Sequence, residues 1–218
     1  MLTRSFAGRG DRVAIANDPT YPLFDIAVRV AGAEVGAEEP VLTIACRPNN
    51  PTGELGTIPD ARPLVVDEAY FEYCAETAAH LIDDDVIVIR TFSKAFGLAG
   101  GRVGYAIASA EVARELNRRQ HPAPVSTLST ALAIAALRSP PDVQPILRER
   151  ERLAARLREC GYAPLPSRAN FLYVPVDDPQ ALAEMLLARG LAVRPVRGGI
   201  RITVRNEDDD ERLLAVLQ

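Results

Sequence analysis

The stretch Val86-Ile87-Val88-Ile89-Arg90-Thr91-Phe92-Ser93-Lys94-Ala95-Phe96-Gly97-Leu98-Ala99-Gly100-Gly101-Arg102 decides how the rest of the chain is read. It opens on four β-branched residues in a row, the pattern of a strand buried on both faces. The run then breaks into hydroxyls, a lysine and a Gly/Ala-rich tail that ends in arginine. Lys94 is the only lysine in the chain, so it does not belong to a solubilising surface population. A lysine just past a buried strand is partly desolvated, which lowers its pKa and leaves more free amine. A free amine on a rigid strand end can condense with an aldehyde. Thr91, Ser93 and Arg102 add two hydroxyls and one fixed cation, a set that suits a phosphate group.

The whole chain bounds the possibilities. Its 218 residues suffice for one sizeable domain or one large and one small. Hydrophobic residues make up 48% and charged residues 25%, an ordinary globular composition. The net charge is -4 and no basic patch carries interleaved aromatics, which argues against nucleic acid as a partner. No apolar run approaches the roughly 18–20 residues of a membrane helix, and residues 1–8 lack an apolar signal core. Cys46, Cys74 and Cys160 are far apart and form no CxxC pair, which fits small packing residues in a reducing cytoplasm. His80 and His121 have no ligand spacing, so no metal site is expected.

Taken in order, the chain alternates strands and helices. Residues 2–7 read as the last turn of a helix. Strands are expected over 12–16, 33–35, 41–45, 64–66, 86–89 and 103–108. Leu23, Ile26, Ala27 and Val30 fall at helical spacing. Residues 110–120 and 126–138 read as helices, and Asp142 is expected to cap a long amphipathic helix that ends near Cys160. Beyond it a strand over 171–176, a helix over 179–189 and a hairpin of 191–196 with 200–204 around Gly198-Gly199 form a small α+β unit. The acidic run Glu207-Asp208-Asp209-Asp210 suits the start of the last helix, where the dipole favours it. The expected fold is therefore α/β: a mostly parallel sheet with flanking helices over 1–141, then a linking helix and a small C-terminal α+β domain over 142–218.

Polar clusters follow the strands that end near residues 16, 45, 66 and 89. Open parallel sheets bind ligands at their carboxyl edges. The chemistry delivered there is that of pyridoxal phosphate. Lys94 offers the amine. Asp67, straight after Leu64-Val65-Val66, offers the carboxylate that keeps the ring nitrogen protonated. Asn50 and the Tyr70 hydroxyl can donate to the phenolate oxygen. Tyr21 can stack on the ring face, and Thr91, Ser93 and Arg102 can hold the phosphate. On the alternating strand Ile200-Arg201-Ile202-Thr203-Val204, Arg201 shares a face with Thr203. A bidentate arginine there suits a substrate carboxylate. Arg194 is placed to meet a second anionic group, and Asn170 to line the same cleft.

The chain resembles the fold-type I pyridoxal-phosphate aminotransferases, in particular the histidinol-phosphate aminotransferase branch. The matching runs are Asp18-Pro19-Thr20-Tyr21, Arg47-Pro48-Asn49-Asn50-Pro51-Thr52-Gly53, Val66-Asp67-Glu68-Ala69-Tyr70, residues 90–105 and Ile200-Arg201-Ile202-Thr203-Val204, in the family's order. The resemblance implies that Lys94 carries the cofactor as a Schiff base and shuttles the proton at the substrate Cα. It implies that Tyr21 stacks on the ring, Asp67 meets its nitrogen, Asn50 and Tyr70 its phenolate oxygen, Ser93 and Arg102 the phosphate, and Arg201 the substrate carboxylate. It further implies a homodimer that exchanges an amino group between histidinol phosphate and 2-oxoglutarate. A threonine-phosphate decarboxylase and a non-catalytic remnant of the fold share the same motifs. Family members are longer: the Gly-rich helix start that donates amides to the phosphate has no counterpart in residues 1–11, and the segments 35–41 and 60–64 are short.

Overall fold

The computed structural model describes residues 2–218. Helix α1 (Leu2–Phe6) leads into β1 (Arg12–Ile15), α2 (Leu23–Val30) and β2 (Glu34–Val35). Strands β3 (Leu42–Cys46), β4 (Leu64–Asp67), β5 (Val86–Thr91) and β6 (Gly104–Ile107) complete a six-stranded sheet of order β2-β1-β3-β4-β5-β6. The first five strands are parallel and β6 runs antiparallel to β5. Parallel strands need cover on both faces, and the residue parity supplies it. Leu42, Ile44, Cys46, Val65 and Ile87 face Phe24 and Val28 of α2 and Leu116 of α4 (Ala110–Arg118). Ala45, Leu64, Val66, Val86 and Val88 face the other way, onto Ala78, Ile58 and Leu81. At Gly104 a Cβ would stand 2.6 Å from the Arg90 carbonyl oxygen, so only glycine lets β6 close on β5.

Helix α5 (Thr127–Arg138) follows, and α6 (Gln144–Glu159) begins the second unit. There β7 (Phe171–Pro175), β9 (Gly199–Thr203) and β8 (Arg194–Val196) form an antiparallel sheet of order β7-β9-β8. Its core packs Leu172, Val174, Ile200 and Ile202 against Leu153 and Leu157 of α6, Leu186 of α7 (Pro179–Leu187) and Leu214 of α8 (Glu207–Leu217). Tyr70, Tyr73, Ala169 and Phe171 make a smaller cluster where the two sheets meet.

Several expectations need adjusting. Asp142 is not the cap of α6: Val143 holds that position, while the Asp142 carboxylate accepts the Gln144 N–H one step further on. Pro145 at the start of the helix needs no donor there, so the helix begins later than the charge pattern implied. The hairpin's first strand spans only 194–196, not 191–196. The last helix is capped by Asn206, whose side chain accepts the Asp209 N–H, and the acidic run fills its first turn. Helix α3 (Phe71–Cys74) and the 3₁₀ turns Ala79–Asp84 and Ala99–Gly101 are too short to show a period in sequence. The connections over 36–41 and 47–63 carry no helix. Among the described residues no helix is long and apolar enough to cross a membrane.

Candidate active site

Parallel pairing brings the ends of β1, β3, β4 and β5 to one edge. The register aligns Cys46 with Asp67 and Asp67 with Ile89. The loops that leave this edge enclose a cleft of about 260 Å³. Tyr21, Asn50, Asp67, Tyr70, Thr91, Ser93, Lys94 and Arg102 all line it. The first two loops hold each other in place. The Thr20 hydroxyl donates to Asn49 Oδ1 (2.8 Å), Asn49 Nδ2 donates to the Pro19 carbonyl (3.0 Å), and the Cys46 N–H donates to Asn17 Oδ1 (2.8 Å). Tyr21 stands edge-on to Phe24, with ring centroids 5.6 Å apart.

Burial governs the charges in this cleft. It pushes the Asp67 carboxyl up to about 6, against the Ala69 N–H at 2.9 Å and the Lys94 charge, which both favour the carboxylate. Lys94 is half-buried, and its amine is held below the ordinary lysine range first by desolvation and then by the Arg201 charge. Its Nζ lies 5.3 Å from the centroid of the Tyr70 ring. Tyr70 is buried, which raises its phenol, and its ring meets Phe171 edge-on at 5.1 Å.

Arg201 reaches this edge from the second sheet. Its Nη1 donates to Asn50 Oδ1 at 2.8 Å, and its guanidinium carbon lies 4.9 Å over the Phe171 ring. Its Nε is buried without a hydrogen-bond partner, a donor still free for an incoming anion. Arg194 sits opposite Arg201 in the hairpin register, exposed, and its charge also lowers the Lys94 pKa. Asn170 directly precedes β7, and its carbonyl accepts the Val204 N–H at 3.0 Å, which ties the start of β7 to the end of β9. The phosphate-type groups all come from one segment. The Thr91 hydroxyl oxygen accepts the Ser93 N–H (3.1 Å), and Arg102 is exposed in a left-handed conformation with Nη1 on the Ala99 carbonyl (2.9 Å). Among the described residues no cluster of His, Cys, Asp and Glu could hold a metal ion.

The family model for aminotransferases of class I and II matches residues 36–217. The chain belongs to the class I and II aminotransferase family. Members of that family are pyridoxal-phosphate-dependent transferases, so the aminotransferase is an enzyme fold with a known cofactor class. It is 33% identical over 258 residues to the histidinol-phosphate aminotransferase of Caldanaerobacter subterraneus subsp. tengcongensis, covering all of this chain and 73% of that one. It is 33% identical to an aromatic amino acid aminotransferase of Mycobacterium marinum, covering 89% of this chain and 59% of that one. The crystal structure of histidinol-phosphate aminotransferase from Sinorhizobium meliloti in complex with pyridoxal-5'-phosphate superposes with a TM-score of 0.87 at 28% identity, covering 99% of this chain and 72% of that one. The first aligned span exceeds the 218 residues here, so that relative carries internal segments that this chain lacks.

Two parts of the aminotransferase site escaped the sequence reading. Cys46 lines the cleft, its thiol donating to the Pro48 carbonyl and raised in pKa by burial. Glu68 is fully buried beside Asp67. Its carboxylate takes Arg90 Nε (3.0 Å) and Nη2 (2.9 Å), the Thr77 hydroxyl (2.8 Å) and the Ala78 N–H (2.6 Å). Arg90 stacks at 3.4 Å over the Phe71 ring. This pair pins the end of β4 to the end of β5. The signal for it was the register: with Asp67 opposite Ile89, the next step sets Glu68 against Arg90.

Proposed function

We propose that the chain exchanges an amino group between histidinol phosphate and a 2-oxo acid such as 2-oxoglutarate, with pyridoxal 5'-phosphate as cofactor. The observation that carries the reading is the position of the only lysine. Its depressed amine lines one cleft with the Asp67 carboxyl and the Tyr70 phenol, and Arg201 reaches the same edge from the second sheet by its bond to Asn50. The residues fit the cofactor. Asp67 is buried without a full cationic partner, the environment that a protonated ring nitrogen satisfies. When bound, the cofactor supplies an aldehyde and an electron sink.

The chain's own residues do the rest. Lys94 Nζ would be the nucleophile toward that aldehyde, and burial together with the Arg201 charge lowers its pKa, which favours the free amine. The same nitrogen, once free, takes and returns the proton at the donor Cα. Tyr21 covers one ring face, and Asn50 with the Tyr70 hydroxyl donates to the phenolate oxygen. Thr91, Ser93 and Arg102 hold the phosphate. Arg201 binds the donor's anionic group through Nε and Nη, and Arg194 a second one, which a phosphorylated amine or a dicarboxylate supplies. Residues 142–218 act as a small domain that carries both arginines to the cleft.

The working form is a homodimer in the cytoplasm. Leu128, Ile134 and Leu137 of α5 and Leu23, Ile26 and Val30 of α2 are exposed apolar residues of the kind that a subunit interface covers. The three cysteines are free, as suits a reducing compartment. The test is direct. With cofactor, L-histidinol phosphate and 2-oxoglutarate, glutamate is expected to form. Release of carbon dioxide from threonine phosphate without glutamate would point to the decarboxylase instead, and neither product would mark a non-catalytic chain.

A further inference from the structure

Asp67, Tyr70 and Thr91 line the Lys94 cleft, and the residue next to each belongs to one network. Glu68 follows Asp67, Phe71 follows Tyr70 and Arg90 precedes Thr91. Alternation carried one step past β4 sends Glu68 to the face of Val66, whereas Asp67 shares the face of Val65. The Glu68 side chain is fully buried, that of Arg90 is 11% exposed, and both Arg90 Nε and Nη2 donate to Glu68 Oε2. Arg90 Nη2 also donates to the Thr77 hydroxyl oxygen at 2.8 Å, and that hydroxyl donates to Glu68. The backbone closes the frame: the Glu68 N–H donates to the Ile89 carbonyl (2.9 Å) and the Phe71 N–H to the Glu68 carbonyl (3.0 Å). An apolar pair of the same size would brace the two strands without the cost of burying two charges. What only the charges supply is an effect on neighbouring charge. The Glu68 charge raises the proton affinity of Asp67, against Lys94 and the Ala69 N–H, which lower it. Cys46 and Tyr70 are the other titratable groups that face Asp67, and burial holds both neutral. Facing Glu68 besides Arg90 are Glu72 and Cys74 of α3, both raised in pKa by burial.

We propose that Glu68 and Arg90 are positioning residues for the cofactor ring: they fix Asp67 in place, Glu68 strengthens its hold on the proton of the ring nitrogen, and Arg90 limits that hold. The proposal rests on the cofactor reading for one point, that Asp67 meets the ring nitrogen. Charge near that nitrogen sets how strongly the ring draws electrons. Removing one member of the pair leaves the other uncompensated, so the two single variants act on Asp67 in opposite directions. A pair that only braced the strands would lose stability in both variants and move the Asp67 titration in neither.

The experiment follows thermal unfolding of the full cofactor-free chain between about pH 4 and pH 8, for wild type, Glu68→Gln, Arg90→Gln and the double variant. Each is compared with the same protein carrying Asp67→Asn. The difference isolates Asp67, and the pH at which it levels off is the native Asp67 pKa. Glu68→Gln is expected to move that pH down by about 0.5–1 unit and Arg90→Gln to move it up by about as much, with the double variant close to wild type. Arg90→Lys is the milder change: it keeps the charge, loses the two-nitrogen contact, and is expected to move the pH up by about 0.3 unit. The same levelling pH in every variant, or both single variants moving the same way, overturns the proposal. In the cofactor-loaded chain the pH midpoint of the visible band is expected to fall in Glu68→Gln and rise in Arg90→Gln, and an unmoved midpoint in both overturns the link to the ring. A wild-type chain without a band would sink the cofactor reading instead, and the cofactor-free titration would still decide whether the pair sets Asp67.

Discussion

The two ends of the Lys94 cleft are built differently. At the ring end, Tyr21, Asn50, Asp67 and Tyr70 come from three separate strand ends, and Arg201 joins them from the second sheet. Two of them are held by the second sheet, Asn50 by Arg201 and Tyr70 by Phe171, while Tyr21 stands edge-on to Phe24 of the helix that follows it. At the phosphate end, Thr91, Ser93 and Arg102 all belong to one stretch, and Arg102 is bonded only to its own turn. That end also opens into a groove of about 520 Å³ floored by Leu42, Ile44, Val65 and Ile89 of the sheet. The difference teaches that the reacting geometry is over-determined while the anchor is not. Chemistry and cofactor retention are therefore separable in this chain.

Substitutions at the two ends should sort accordingly. The largest effect belongs to Asp67→Asn, expected to cut transamination at least a hundredfold, on the order of what loss of one preorganised electrostatic partner does. The same change should stabilise the cofactor-free chain. Burial raises the Asp67 pKa to about 6, so folding disfavours its ionised form. The free chain then loses stability as the pH rises from about 4 to about 6 and does not regain it above. Asparagine removes that loss, worth up to about 3 kcal/mol, which thermal denaturation at pH 5 and pH 8 would register. A variant less stable than wild type at pH 8 would mean that the ring end is not poised for a cation.

Arg201→Lys should come next, raising the donor KM roughly 10- to 100-fold with little change in kcat, because a bidentate charged contact is lost. Steady-state kinetics checks it, and an equal fall in kcat would put Arg201 in the chemistry rather than in binding. Arg102→Gln should have the smallest effect, raising the cofactor dissociation constant about tenfold and leaving kcat at saturating cofactor unchanged. Fluorescence titration reads this out. A loss of kcat there would erase the distinction between the two ends.

Much of this was legible in sequence because a buried strand is a run of β-branched residues and its end is where polarity returns. Lys94, Asp67 and Asn50 all follow such runs, at Val86–Ile89, Leu64–Val66 and Val41–Ala45. Parity on β9 placed Arg201 on one face, but its contact with Asn50 spans 151 residues and no local pattern encodes it. The same holds for Asp18 and Arg197, 179 residues apart. Asp142 was misread because capping depends on where the backbone turns, and Pro145 moved that point.

The central claim is that Lys94 is the cofactor's lysine. The most direct measurement is the visible absorption spectrum of the chain with pyridoxal phosphate, for wild type and for Lys94→Ala. Lys94 is the only lysine, so the N-terminal amine is the one other primary amine able to form an imine. The account predicts a pH-sensitive band in wild type, shifted from that of the free cofactor and absent in Lys94→Ala. No such band at saturating cofactor, or the same band in both proteins, would contradict it.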